Sequence, residues 1–196
     1  MSKVLWKPGT MIYPLPPVMV SCGSMEAPNI ITVAWTGIAN SDPAMTYVSL
    51  KPQRFSHGLI QKRQEFVINL TNENLIKAAD FCGVRSGRDL DKFAVTKLTP
   101  EKCEHVSAPM IAESPVSLEC RVAEIIKLGS HDMFLSQILG VYIDASLLDE
   151  KGMFHLEKSG VAAYCHGHYY ALGRKLGKFG FSVEKKKTIS HRVSVR

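Results

Sequence analysis

The stretch of this 196-residue chain with most capacity for chemistry is Ser49-Leu50-Lys51-Pro52-Gln53-Arg54-Phe55-Ser56, where hydroxyls and cations stand at the hand-over from a β-rich run to a helical one. Backbone N–H groups at a helix start lack intrahelical partners, and the aligned peptide dipoles favour an anion there. Arg54 offers a planar fork for phosphate oxygens, Lys51 a point charge, and Ser49 or Ser56 a short hydrogen bond. The same residues equally describe a helix capped by Ser56 with exposed charges on its first turn. A second candidate is Asn29-Ile30-Ile31-Thr32-Val33-Ala34-Trp35-Thr36, whose alternation puts Asn29, Ile31, Val33 and Trp35 on one face and Ile30, Thr32, Ala34 and Thr36 on the other. Its small residues would let a flat ring approach the backbone. Thr32, Thr36 and nearby amides could then meet the carbonyls and nitrogens of a heterocycle, with Trp35 as a wall. An interior barrel strand accounts for the same pattern.

Other reactive residue types argue mainly by exclusion. His166-x-His168 could chelate from one strand face and His155 is not far away, but only Cys165 stands near as a further ligand, so no metal is expected. The five cysteines, Cys22, Cys82, Cys103, Cys120 and Cys165, are odd in number and form no CxxC pair, which excludes a zinc ribbon, a thioredoxin motif and a disulfide framework. Reduced thiols in a reducing compartment fit instead. Cys82 reads either as a redox thiol or as an inert buried residue. Gly173 to Gly180 supplies glycines without G-x-G-x-x-G after a strand, so no resident dinucleotide is expected.

The elements that position these residues follow from periodicity. Val18 to Cys22 reads as a buried strand entered from Pro14, Pro16 and Pro17; Asn29 to Thr36 and Met45 to Leu50 read as two more that pair or lie close, separated by Asn40-Ser41-Asp42-Pro43. Gln53 to Arg63 has helical spacing through Phe55, Leu59 and Ile60, and Glu65 to Leu70 returns to alternation. A helix follows from Asn72 or Thr71 as N-cap to Gly83 as stop. Pro115 to Leu128 and Met133 to Ala145 form two long antiparallel strands around Gly129-Ser130-His131-Asp132. Many strands with few helices predict a mainly β fold, a barrel with helical insertions.

Composition sets the class: 45% hydrophobic and 21% charged residues are ordinary for a globular chain. One domain over residues 1–182 and a basic tail over 183–196 are expected, because Lys185, Lys186, Lys187, Arg192 and Arg196 carry much of the +6 net charge. That tail lacks the interleaved aromatics of a single-strand binder, so no nucleic-acid partner is expected. Neither a membrane-spanning run nor a secretory leader is visible, and a cytoplasmic location is expected.

The ordered set Pro14-Leu15-Pro16-Pro17, Asn29-x-x-Thr32, Tyr47-Val48-Ser49-Leu50 with Arg54 and Ser56, and Phe66-Val67-Ile68-Asn69-Leu70 resembles the flavin reductase-like, FMN-binding split-barrel family. Cys82-Gly83, Ser86-Gly87-Arg88, Asp91-Lys92-Phe93, Ser117-Leu118-Glu119-Cys120 and Gly140-Val141 are similar to its flavoredoxin branch in particular. The resemblance runs from Lys7 to about Ser182. It implies a split β-barrel of Greek-key type that binds FMN in a groove at a homodimer interface. The ring would lie along Asn29, Thr32, Val33, Ala34, Trp35 and Thr36. Ser49, Lys51, Arg54, Ser56 and Lys92 would meet the phosphate, with Leu50 also in the cofactor site and Ser86 and Gly87 near the ribityl phosphate end. Lys51 departs from the arginine common in the family, keeping charge but losing bidentate geometry. His131 resembles a family histidine near the flavin, and Tyr169-Tyr170-x-Leu172-Gly173 a segment that packs at cofactor or partner. The chemistry would belong to FMN, with no protein acid or base. Electrons would come from NAD(P)H as a visiting substrate, making the chain a flavin reductase; the alternative is an electron carrier with tightly bound FMN, exchanging electrons with an iron–sulfur protein or another redox partner.

Overall fold

Alternation along Val18–Ser24, the first strand (β1), divides its side chains between two cores. Val18, Val20 and Cys22 join Val33, Val48, Phe66 and Phe134 in the barrel interior, while Met19 packs outward with Ile30, Ala79, Cys82 and Phe93 beneath a helical layer. Both faces of the strand are therefore buried, which explains its almost continuous apolar run. The computed structural model describes residues 1–184. The basic tail thus lies outside the described residues beyond its first two positions, Lys185, Lys186, Lys187, Arg192 and Arg196 included.

The further strands are β2 (Ala27–Val33), β3 (Thr36–Ser41), β4 (Ala44–Leu50), β5 (Glu65–Leu70), β6 (Pro100–Glu101), β7 (Met110–Ile111), β8 (Val116–Lys127), β9 (Asp132–Ile143), β10 (Ala162–Cys165) and β11 (His168–Ala171). The α-helices are α1 (Phe55–Arg63), α2 (Ile76–Val84) and α3 (Lys92–Thr96). Seven strands form one antiparallel sheet in the order β2-β1-β5-β8-β9-β4-β3. This is the mainly β, incompletely closed barrel that the sequence predicts.

The sheet's two edges, β2 and β3, are consecutive in the chain and joined only by Ala34 and Trp35. A covalent link thus closes the barrel where the hydrogen-bond ladder does not. The expected strand from Asn29 to Thr36 is accordingly two strands: Thr36 N–H donates to Ala34 O at 3.1 Å and Ser49 N–H to Trp35 O at 2.9 Å, turning the chain out of β2. Its expected pairing with Met45–Leu50 passes to β3, which lies beside β4 from Thr36↔Val48 to Ser41↔Ala44. Long β8 and β9 pair from Val116↔Ile143 to Lys127↔Asp132, as their period-two runs require.

The helix after β5 begins as expected, with Asn72 accepting from Leu75 N–H, but it runs through Gly83 to Val84. Gly83 is there for space. A Cβ on it would stand 3.4 Å from Thr32 Cβ, so its absence lets α2 settle directly on β2. Asn69 ties the layers together: its amide donates to Met19 O and Ser21 Oγ, and its oxygen accepts from Ile111 N–H and Ser117 Oγ. Such a fully partnered buried amide fixes the register of β1, β5 and β8.

Candidate functional site

The open seam between β2 and β4 is where the site lies. Ile31 to Trp35 from one edge and Ser49 to Lys51 from the other face a cavity of about 530 Å³, whose far side is formed by α2 and the β10–β11 hairpin. A second cavity of about 340 Å³ continues past the start of α1 under the loop of residues 85–88. Ile31, Lys51 and Arg54 line both, so the two are one bent cleft.

Lys92 Nζ donates to Ile30 O at 2.8 Å. Since N–H and C=O groups of an antiparallel strand alternate sides, Ile30 and Thr32 direct theirs toward the free edge of β2. Ile30 O is taken by Lys92, which leaves the backbone N–H and C=O of Thr32 beside the wider cavity. The hydroxyls of the strand are otherwise engaged. Thr32 Oγ1 donates to Ala79 O at 2.5 Å and Thr36 Oγ1 to Tyr47 O at 2.5 Å, and Thr36 is buried away from both cavities. Val33, Ala34 and Trp35 line the wider cavity together with Ser49 and Leu50. Trp35, 37% exposed, has its ring centroid 4.3 Å from that of His131, which lines the same cavity. Burial and the nearby Lys51 charge hold the His131 imidazole below its usual pKa.

The smaller cavity is built for charge. Arg54 is the N-cap residue of α1, and no side chain caps that helix, so Ser56 is not the cap: it lies in the first turn, buried, with its Oγ accepting from Asn29 Nδ2 at 2.7 Å. Lys51, Arg54, Arg85, Arg88 and Lys92 all line this cavity, and among the described residues no ion pair involves any of them. Arg54 Nη2 reaches Gly83 O at 3.0 Å, and Arg88 lies 6.0 Å over the Phe55 ring. Lys92 is 3% exposed; its ammonium donates to Ile30 O and Cys82 O at 2.8 and 2.7 Å, and desolvation by burial pulls its pKa down. Five cations without carboxylates make the cavity complementary to a multiply charged anion.

Ser86 and Gly87 form its lid. Ser86 Oγ accepts from Arg88 N–H at 3.2 Å, and a Cβ on Gly87 would stand only 1.9 Å from Asn29 Oδ1. Asn29, 4% exposed, underlies the cavity rather than lining it, and its Oδ1 has no hydrogen-bond partner. Of the residues expected from sequence, the structure gathers Thr32, Val33, Ala34, Trp35, Ser49, Leu50, Lys51, Arg54, Ser56, Ser86, Gly87 and Lys92 along one cleft, leaves Asn29 beneath it and puts Thr36 outside. Asp80, Gly83 and Val84 on α2, with Tyr13 and Tyr164, were not legible as lining. Their i, i+3, i+4 spacing on α2 is the one signal that the sequence carried.

The family model for the flavin reductase-like domain matches residues 10–173. The chain belongs to this family. Flavoredoxin of Desulfovibrio vulgaris (Miyazaki F) superposes with a TM-score of 0.86 at 32% identity, over 94% of this chain and 100% of that one. Flavoredoxin from Methanosarcina acetivorans, at 24% identity and TM-score 0.85, shares the fold over 94% of this chain and 100% of its own. An uncharacterised protein of Archaeoglobus fulgidus is 32% identical over 130 residues, 66% of this chain and 73% of the relative. The split-barrel reading and the resemblance to the flavoredoxin branch thus stand, and the chain is a member of a flavin-binding, electron-transferring family. Among the described residues no helix is long and apolar enough to cross a membrane.

Proposed function

We infer that the chain binds FMN and uses it to pass electrons from NAD(P)H, as a flavin reductase. The observation that carries this reading is the cluster of five cations, without ion-pair partners among the described residues, around a cavity that continues into a wider one. A phosphate fits the smaller cavity, held by Arg54, Lys51 and Lys92 and by the N–H groups of the first turn of α1, under the Gly87 lid. The heterocycle fits the wider one, its polar edge toward the free backbone groups of β2 and one face toward Trp35 and His131. The redox chemistry, acceptance of a hydride equivalent and release of two electrons, belongs to the flavin. The protein's part is to orient it and to leave room for the nicotinamide. Two copies pair through the large apolar side chains that extend from the barrel: Val4, Leu5, Trp6 and Ile12 before β1, Leu176, Phe179 and Phe181 after β11, all exposed in the single chain.

Flavin fluorescence titration tests the phosphate placement. Arg54→Ala should weaken FMN binding by roughly 10- to 100-fold, the worth of a charge-assisted pair, and an unchanged Kd would overturn it. A second reading, an electron carrier with protein partners such as an iron–sulfur protein, is favoured by the 32% identity with the Desulfovibrio flavoredoxin over nearly the whole chain. Anaerobic NADH and NADPH decide between them: bleaching of the flavin supports the reductase, whereas FMN copurifying at one per subunit and staying oxidised supports the carrier.

A further inference from the structure

The wider cavity has a second wall, apart from β2 and the start of α1. Tyr13 precedes β1, Tyr164 lies on β10 and Tyr169 on β11, yet their rings form one panel: the centroids of Tyr13 and Tyr164 are 6.3 Å apart and those of Tyr164 and Tyr169 5.5 Å, tilted by 59° and 57°. The panel is held by the backbone, since Tyr164 and Tyr169 are register partners in the hairpin and Leu15 exchanges two hydrogen bonds with Tyr164. Tyr169 Oη donates to Asp80 Oδ1 at 3.2 Å, which brings the carboxylate on α2 to the edge of the panel. All four residues line the cavity, and among the described residues no cation pairs with Asp80.

Tyrosine faces carry the negative part of the ring quadrupole and attract cations, most strongly where water is partly excluded. The Asp80 carboxylate, bonded to the Tyr169 hydroxyl at the edge of this cluster of rings, adds a full charge of the same sign. The cleft is therefore polarised, with Arg85, Arg88 and Lys92 around the smaller cavity, Lys51 and Arg54 where the two cavities meet, and Asp80 toward the hairpin. A flat ligand with a positive ring complements the hairpin end, and one that also bears phosphates matches the polarity of the whole cleft.

We propose that Tyr13, Tyr164, Tyr169 and Asp80 form a subsite for a flat organic cation of the N-alkylpyridinium class. The oxidised nicotinamide ring is such a cation and the reduced ring is neutral. Resting on the reading that nicotinamide visits this cleft, the subsite makes the protein hold the oxidised coenzyme more tightly than the reduced one, and so release it slowly.

The test compares 1-methylnicotinamide, alkylated on the ring nitrogen and therefore a cation, with neutral nicotinamide by calorimetric titration of the protein with and without FMN. The cation should bind roughly tenfold more tightly, Asp80→Asn and Tyr164→Leu should each reduce that ratio to about two- to threefold, and the double variant should abolish it. Tyr169→Phe keeps the ring but removes the bond that holds Asp80 at the panel, and should lower the ratio part of the way toward that of Asp80→Asn. Equal affinities in the parent protein, or an unchanged ratio in Asp80→Asn, would overturn the proposal. FMN affinity, read separately from flavin fluorescence, should be the same in Asp80→Asn and parent. Loss of cation preference with FMN binding intact thus condemns the subsite alone, whereas failure to bind FMN condemns the flavin reading.

Discussion

The lid over the smaller cavity can be tested with a single methyl group. In Gly87→Ala the new Cβ would fall 1.9 Å from Asn29 Oδ1, 2.8 Å from Asn29 Cγ and 3.0 Å from Phe55 Cδ1, about 1 Å inside the closest approach that a Cβ makes. Either the loop backs away from the cleft or Asn29 rotates and gives up its 2.7 Å bond to Ser56 Oγ. Overpacking of this kind costs about 1–3 kcal/mol and the lost hydrogen bond about 1 kcal/mol. The loop is at the surface and can relax in the free protein, so most of that cost falls on the liganded state. With 1.4 kcal/mol per decade, a 2–3 kcal/mol penalty weakens FMN binding roughly 30- to 140-fold, while the melting temperature drops by only a few degrees. Flavin fluorescence titration and a thermal melt read the two effects. An unchanged Kd would refute the lid, and a collapse in stability without ligand would show that Gly87 serves the fold instead.

Lys92→Met keeps the apolar stem but leaves Ile30 O and Cys82 O without their donor; relief of a buried charge offsets part of that, and a net loss of about 2 kcal/mol should lower the melting temperature by about 4–8 °C and weaken FMN as well. Glu119, fully buried, is opposed by desolvation, but the His105 amide and imidazole and the Glu104 amide outweigh it and hold its pKa below the usual 4.5. A lowered carboxylate contributes stability above its unfolded value and loses it as pH falls through the folded one, so melting temperatures should decline below about pH 4.5 and Glu119→Gln should flatten that limb; parallel limbs would exclude the effect. Burial pushes the thiols of Cys22 and Cys82 up to about 11 and those of Cys103 and Cys120 to about 12, while Cys165 is half-buried at the end of β10. Native protein should therefore titrate one fast thiol with a disulfide reagent and unfolded protein five; fast reaction at Cys82 would revive a redox role for it.

What could be read in advance was local. The phosphate end depends on a strand meeting a helix within eight residues, and Ser49 to Ser56 carries both patterns and the charges. Alternation also gave β2 as far as Val33, but the turn at Ala34-Trp35 holds no glycine, proline or asparagine, and the chain leaves the strand there because Ser49 N–H, from β4, takes Trp35 O. The hydroxyls of Thr32 and Thr36 looked available because their acceptors, Ala79 O and Tyr47 O, come from other elements. Gly83 resembled a helix stop and is instead a close approach to Thr32. Tyr13, Asp80 and Tyr164 meet through tertiary packing alone, which no periodicity within one segment can announce.

The barrel's closure by Ala34 and Trp35 has a consequence for its motions. Residues Val67–Asn69 of β5 and Ser117–Arg121 of β8 lie between paired strands on both flanks, so their amide protons should exchange with solvent only when the whole molecule opens. Those on the free edges of β2 and β3 need only a local parting of the seam, which stretches no ladder and breaks no covalent bond. A ligand lying across the cleft would act as a clasp on that cuff, slowing exchange at Thr32 and Ser49 while leaving β5 and β8 as they were.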